Sequence, residues 1–323
     1  MKKKIGIGLY GTNGHQVQDR LVHHPLGECV AVAALDRAGL PETLRSDATI
    51  SDYPSLDGLL QDERVELISL CSPRRRDQAR EAIRCLEAGK HVYAEKPCAM
   101  TEEDLDAIIT AAQRTGRRFH EMAGTAFDQP YQAMRGVVCS GVLGTIVQVL
   151  AQKSYPYHDG RPQDEDVDGG LLMQAGVHAA RFIEHIAGLK ITAITAIETS
   201  LGSPRQGNLR MAASLIARLE NGGVASILAN YLNMPAFGSW GNETLRIFGT
   251  QGFVEAVDGG AHTRLVLKDA DRGALPLVEP AIDYLDLYLA SLLGQGEMPF
   301  SLADELHPTR MVIRAKQGIE WKA

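Results

Sequence analysis

Apolar and polar positions alternate along the chain in two rhythms. Through the first third, short runs dense in Ile, Val, Leu and Ala are separated by amphipathic stretches. Lys4–Tyr10, Glu28–Leu35, Val65–Cys71, His91–Glu95 and Arg118–Ala123 read as strands. Between them, His15–His23, Leu56–Gln61, Asp77–Ala88 and Glu102–Thr115 read as helices, the last two closing on Gly89 and Gly116. Strand–helix alternation with short connections predicts a doubly wound parallel sheet covered by helices on both faces.

Beyond about residue 125 the rhythm changes. Pro130–Ser140 and Leu171–Ala187 have helical periodicity, and Ser154–Asp168 is a polar loop dense in Tyr, Pro, Asp and Gly. Strand patterns recur at Ile146–Lys153, Ile191–Ser200, Met211–Leu219, Val224–Asn230, Glu243–Phe248, Phe253–Ala256 and Arg264–Leu267. Many strands with few helices between them predict a large, mostly antiparallel sheet. Two domains result, 1–123 and 124–323, with no repeat or low-complexity linker between them.

Composition narrows the class. The 323 residues are 45% hydrophobic and 23% charged, and carry a net charge of −7. An acidic balance with no basic tract excludes a nucleic-acid footprint; Arg74-Arg75-Arg76 is too short and is followed by Asp77. No apolar run reaches the roughly 18 residues of a membrane span. Met1-Lys2-Lys3-Lys4 imitates the charged head of a leader, but the polar and glycine-rich residues after it lack a leader's apolar core. Cys29, Cys71, Cys85, Cys98 and Cys139 are scattered and odd in number, as expected of reduced thiols in the cytoplasm. No metal site is expected.

A literal GxGxxG spans Gly6, Gly8 and Gly11. In that register only Met1–Ile5 would remain for the preceding strand, so the turn is placed instead at Gly11-Thr12-Asn13-Gly14. There Gly11 makes the tight turn and Asn13, which tolerates positive φ, replaces the second glycine. Gly14 and the N–H groups at the start of helix His15–His23 would then face a pyrophosphate. Asp36 follows at the end of the second strand, near the ~20-residue spacing of a ribose-binding carboxylate. This favours NAD, with NADP possible because Arg37 stands beside it.

A second motif is more specific. Leu86-Glu87-Ala88-Gly89-Lys90-His91-Val92 leads into Glu95-Lys96-Pro97, where a strand ends and Glu95 flanks the Lys96 ammonium. Strand C-termini are where parallel sheets bind ligands. With the turn at Gly11, Asp36-Arg37, Cys71-Ser72-Pro73, Gly169–His178 and Phe248-Gly249-Thr250-Gln251-Gly252, the chain resembles the glucose–fructose oxidoreductase, inositol dehydrogenase and MocA family (Gfo/Idh/MocA) over almost its whole length. The resemblance implies an α/β protein: an N-terminal Rossmann domain that binds the dinucleotide, then a C-terminal α+β domain with a large open, mostly antiparallel sheet for substrate and oligomerisation. It also implies nicotinamide-dependent redox chemistry on a sugar, cyclitol or related hydroxyl. Gly11, Thr12, Asn13, Gly14, Asp36, Arg37, Cys71, Ser72, Pro73, Glu95, Lys96 and Pro97 are the expected cofactor residues.

Gly169-Gly170-Leu171-Leu172-Met173-Gln174-Ala175-Gly176-Val177-His178 matches the family's second catalytic motif. Gln174 and His178, four apart, share a helix face. His178 is the expected proton acceptor, titrating near neutrality. Lys96 is expected to stabilise negative charge on the reacting oxygen, and the two should meet in the cleft between the domains. Gln174, commonly aspartate in relatives, can position substrate but not take a proton. Other departures are Arg181 for an aspartate, Ala126 for an arginine, and Arg74-Arg75-Arg76-Asp77 for a segment with Asn and His that is one residue shorter. The arginines are read as a solvated helix start, or else as attraction for an acidic substrate. Tyr155, Tyr157 and His158 of the polar loop, with His120 and Glu121 of the last Rossmann strand, are further pocket candidates.

The expected function is hydride transfer between a nicotinamide and a hydroxyl or keto group of a polyol or sugar by a cytoplasmic homo-oligomer, a dimer or tetramer associating through the C-terminal sheet. The alternatives are a dinucleotide-binding sensor or regulator without turnover, and redox-neutral chemistry with tightly held NAD.

Overall fold

The computed structural model describes residues 3–277 and 280–319. Met1 and Lys2 of the leader-like start lie outside the described residues. The chain divides into two compact units: Met1–Met122 with Asp166–Asp168 and Tyr284–Glu305, and Ala123–Glu165 with Gly169–Asp283 and Leu306–Ala323.

In the first unit, strands β1 (Ile5–Tyr10), β2 (Gly27–Ala33), β3 (Ser51–Tyr53), β4 (Leu67–Leu70), β5 (His91–Ala94) and β6 (Phe119–Glu121) form one sheet in the order β3-β2-β1-β4-β5-β6. Every pairing is parallel. This is the doubly wound dinucleotide-binding order, whose strand C-termini and first crossover define the ligand side. Central β1 and β4 are buried at every residue, as parallel strands covered on both faces must be. Helix Glu102–Thr115 forms as its pattern predicts. The Thr101 side chain accepts from the Asp104 amide, and Gly116 ends the helix at φ 65°.

The helix predicted over His15–His23 does not form. Only a 3₁₀ turn at Gln18–Leu21 follows the glycine turn. Val17 and Leu21 are the buried positions there, too few to pin a longer amphipathic helix. Edge strand β3 has no counterpart in the sequence reading: it has three residues, Ser51 and Tyr53 half-buried and Asp52 exposed, with no apolar pattern to read.

In the second unit, β7 (Ile146–Ser154), β8 (Ile191–Thr199), β9 (Ala212–Leu219), β10 (Val224–Asn230), β11 (Asn242–Gly249), β12 (Gly252–Val257), β13 (His262–Leu267) and β14 (Ala270–Gly273) form a sheet in the order β14-β13-β12-β11-β7-β10-β9-β8. Only β7 and β10 pair in parallel; the other pairings are antiparallel. One face buries Val149, Ala151, Leu215, Ile227, Leu245 and Ile247. On the other, Val147, Ile197, Ile216, Val224 and Leu228 remain exposed.

The segment predicted as one α-helix over Leu171–Ala187 is a composite. Leu172–Gly176 and Phe182–Ile186 are π-helical turns on either side of α-helical Val177–Arg181. Such wide turns gather at functional sites. Helices Tyr284–Leu292 and Leu302–Gln317 were also not predicted. The first is apolar on most of its positions, and the second carries an interior Pro308.

Candidate active site

The turn after β1 lies where the sequence places it. Gly11 has φ 71°, and a Cβ there would collide with the Cys71 carbonyl oxygen. The literal glycine motif is not the turn: Gly6 and Gly8 sit within β1. Gly6 is glycine for a different reason, because the Arg64 carbonyl lies where its Cβ would be.

The donors of the turn depart from expectation. The Gly14 amide donates to the Thr12 carbonyl at 3.0 Å, and the Asn13 amide to the Cys71 carbonyl at 3.4 Å. The His15 amide donates to the Glu95 carboxylate at 2.7 Å. These N–H groups are used within the protein, and the expected helix N-terminus is missing.

Beneath the turn lies a buried polar network. Gln78, fully buried at the start of helix Gln78–Glu87, donates its amide to the carbonyls of Glu95 and Pro97. Its Oε1 accepts from the Ser72 amide at 3.3 Å and from the Arg75 guanidinium. Arg75 also donates to the Asn13 carbonyl at 2.6 Å. It is 1% exposed, which corrects its reading as a solvated helix start. Its neighbours Arg74 and Arg76 are exposed, and both pair with Asp166.

Glu95 and Lys96 are buried, with Lys96 Nζ 3.9 Å from the Glu95 carboxylate. Burial alone would raise the Glu95 carboxyl. The hydrogen bond from His15 and the charges of Lys96, His15 and Arg75 outweigh it and hold the group at about 2. Gln78 has no counterpart in the sequence reading, and its helical position gave no chemical signal.

At the end of β2, the Asp36 side chain accepts from the Ala38 amide at 2.9 Å. Arg37 turns away from it. Its guanidinium donates to Asp52 at 2.6 Å and to the carbonyls of Arg45, Asp47 and Ile50. His120 lies apart from the turn, with Nδ1 2.6 Å from Glu305 and its ring edge-on to Tyr288. Glu121 accepts from the Cys98 amide at 2.7 Å.

In the second unit, every residue from Leu171 to Ala187 is buried except Gln174 and His178, which are half-buried. Despite the π-helical turn, the two break the burial of the same element one turn apart. His178 Nδ1 lies 3.1 Å from the Thr125 hydroxyl. Gly169 and Gly170 open this element at φ 100° and 69°. Tyr155 stands edge-on to the His178 ring at 6.4 Å between centroids, and it and His158 contact Trp240 at 6.2 and 5.7 Å. Tyr157 accepts from Gln163 at 3.3 Å. Trp240, 58% exposed, was missed because it falls in an irregular segment with no motif around it.

The first unit's residues fit a dinucleotide. At Gly11 the Cys71 carbonyl stands where a Cβ would be, so the chain turns tightly against the end of β4. Beside it, Ser72 Oγ and Arg75 Nε are buried without a hydrogen-bond partner among the described residues. Orphaned polar atoms of this kind are costly unless a ligand or water completes them. No helix among the described residues is long and apolar enough to cross a membrane.

Comparison with known proteins agrees with this geometry. Residues 5–122 match the model of an oxidoreductase family with an NAD-binding Rossmann fold, and residues 131–255 match the GFO/IDH/MocA C-terminal domain. The chain is similar to the uncharacterized oxidoreductase ORF334 of Rhizobium meliloti, 30% identical over 212 residues, 62% of this chain and 62% of that protein. The match therefore spans less than two thirds of that relative's length. It is also similar to the myo-inositol 2-dehydrogenase of Thermotoga maritima, 22% identical over 302 residues, 89% of this chain and 84% of that one. The solved aldose-aldose oxidoreductase from Caulobacter crescentus shares its fold with a TM-score of 0.81 at 21% identity, covering 98% of this chain and 97% of the other.

Proposed function

The chain belongs to the GFO/IDH/MocA family of NAD-binding oxidoreductases, and from that premise we propose that it is a dehydrogenase of a hydroxyl group on a sugar, cyclitol or related small polyol. The observation that carries this reading is the exposure of Gln174 and His178 alone along an otherwise buried element. These are the two polar positions that the packing of this element leaves accessible to a ligand.

In this reading a bound nicotinamide dinucleotide would supply the hydride acceptor or donor for the carbinol carbon. The turn Gly11–Gly14, Asp36, Ser72, Pro73, Glu95, Lys96 and Pro97 would hold the dinucleotide. His178 takes the hydroxyl proton: in the tautomer that donates Nδ1–H to the Thr125 hydroxyl beside it, Nε2 is the basic atom. Lys96 is assigned the stabilisation of the negative charge that develops as the hydroxyl is oxidised. Gln174 positions a neighbouring hydroxyl, and Tyr155, His158 and Trp240 form an aromatic wall for the apolar face of a ring. Tyr157 and His120 have weaker claims, since their polar atoms serve Gln163 and Glu305.

NAD is the assigned cofactor rather than NADP. Asp36 would repel a 2′-phosphate, and the Arg37 guanidinium that would accept one is committed to Asp52 and three carbonyls. The exposed apolar side chains of the open sheet face support self-association as a dimer or tetramer. Gln174, which cannot replace a carboxylate as a proton acceptor, keeps a second reading alive: a dinucleotide-binding sensor, or redox-neutral chemistry with retained NAD.

The deciding experiment supplies NAD and a panel of sugars, cyclitols and sugar acids and follows NADH absorbance. Net NADH on a polyol is expected. Dinucleotide binding without reduction by any polyol would overturn the dehydrogenase reading in favour of the second.

A further inference from the structure

We propose that Arg75 is a positioning residue for the cofactor, whose buried charge supplies the positive potential that a helix N-terminus ordinarily offers a pyrophosphate. The inference rests on the dinucleotide reading above and goes beyond it.

Three observations carry it. First, the usual source of positive potential is missing. No α-helix follows the turn, and the amides of Asn13, Gly14 and His15 are bonded within the protein. A pyrophosphate at this turn therefore gains little from backbone dipoles.

Second, the Arg75 guanidinium is 1% exposed, yet its hydrogen bonds go to the neutral oxygens of Gln78 and Asn13. Its Nε has no partner among the described residues. A buried cation whose hydrogen bonds go to neutral acceptors, and which shares the Glu95 carboxylate with Lys96 and His15, is costly, and an anion held nearby repays that cost. Arg74 and Arg76 differ in this respect, because Asp166 answers both.

Third, the Arg75 guanidinium reaches the turn itself, donating to the Asn13 carbonyl at 2.6 Å. That bond also fixes the Asn13–Gly14 peptide, so position and charge arise from one side chain.

The test separates charge from damage. NAD, ADP-ribose and adenosine are titrated calorimetrically into the unmodified protein and into Arg75→Gln and Arg75→Lys, with thermal unfolding of each. Arg75→Gln keeps a donor for Asn13 but loses the charge. It should bind NAD and ADP-ribose roughly 10- to 100-fold more weakly, the worth of one charged hydrogen bond. Adenosine, which carries no phosphate, should move by less than about twofold. Arg75→Lys should recover most of the loss.

Unchanged ADP-ribose affinity in Arg75→Gln overturns the inference, and so does an equal loss for adenosine. Should Arg75→Gln not fold, Arg75→Lys decides: its loss must be confined to the phosphate-bearing ligands. Failure of the unmodified protein to bind NAD would instead overturn the dinucleotide reading itself.

Discussion

The Glu95 carboxylate accepts the His15 amide at 2.7 Å, so the end of β5 is bonded directly to the turn that follows β1. The same side chain fills the space where a Cβ on Gly14 would stand. The Glu-Lys-Pro turn and the glycine turn, 80 residues apart, thus act as one element.

That bond has an acid signature. Glu95 titrates at about 2 in the folded chain against an ordinary 4.5, so the folded state favours its ionised form. Its contribution is complete above pH 4.5 and is lost as pH falls towards 2. Over that window the loss amounts to about 3 kcal/mol. Denaturant unfolding of Glu95→Gln and the unmodified chain should differ most near neutrality and converge at low pH. A difference that is independent of pH would refute this assignment.

The glycines rank by what a Cβ meets. Gly11→Val should abolish dinucleotide binding, because the Cys71 carbonyl and the φ of 71° both forbid it. Gly8→Ala meets only side-chain atoms at 3.1–3.2 Å and should bind NAD with some loss of stability. Gly6→Ala, although outside the turn, should fold poorly because it strikes the Arg64 carbonyl. Melting temperatures paired with NAD titrations check the order, and lost binding in a well-folded Gly8→Ala would contradict it.

Cofactor choice follows from Asp36 and the anchoring of Arg37. NAD should bind at least about tenfold more tightly than NADP, and Asp36→Ser should narrow the gap. Arg37→Ala should weaken the fold around Asp47 and Asp52 without reversing the preference. Calorimetry with both dinucleotides measures this; tighter NADP binding by the unmodified protein would sink it.

On a true substrate, Lys96→Ala and His178→Ala should each lower turnover by about 10²–10⁴. Gln174→Ala should chiefly raise KM, and Gln174→Asp should increase turnover on a cyclitol. Thr125→Val removes the hydroxyl beside His178 Nδ1 and should shift the pH profile of kcat/KM while leaving NAD binding intact. Full turnover in both Lys96→Ala and His178→Ala would end the mechanism.

The sequence by itself determined the fold class and the positions of both motifs. Parallel strands such as Ile5–Tyr10 and Leu67–Leu70 are buried on both faces and must read as apolar runs, and Gly11 must be glycine wherever a carbonyl crowds its Cβ. What only the tertiary structure decided are matters of partners. Arg75 looks like a surface charge in the sequence and is a buried cation, because Gln78 and Asn13 reach it from other elements. His15–His23 has helix-forming residues but too little buried surface to hold a helix. Trp240 joins Tyr155 and His158 only through the packing of a loop after β10. Local patterns record which face of an element is buried; which distant polar atom completes a buried charge is set by packing, to which periodicity is blind.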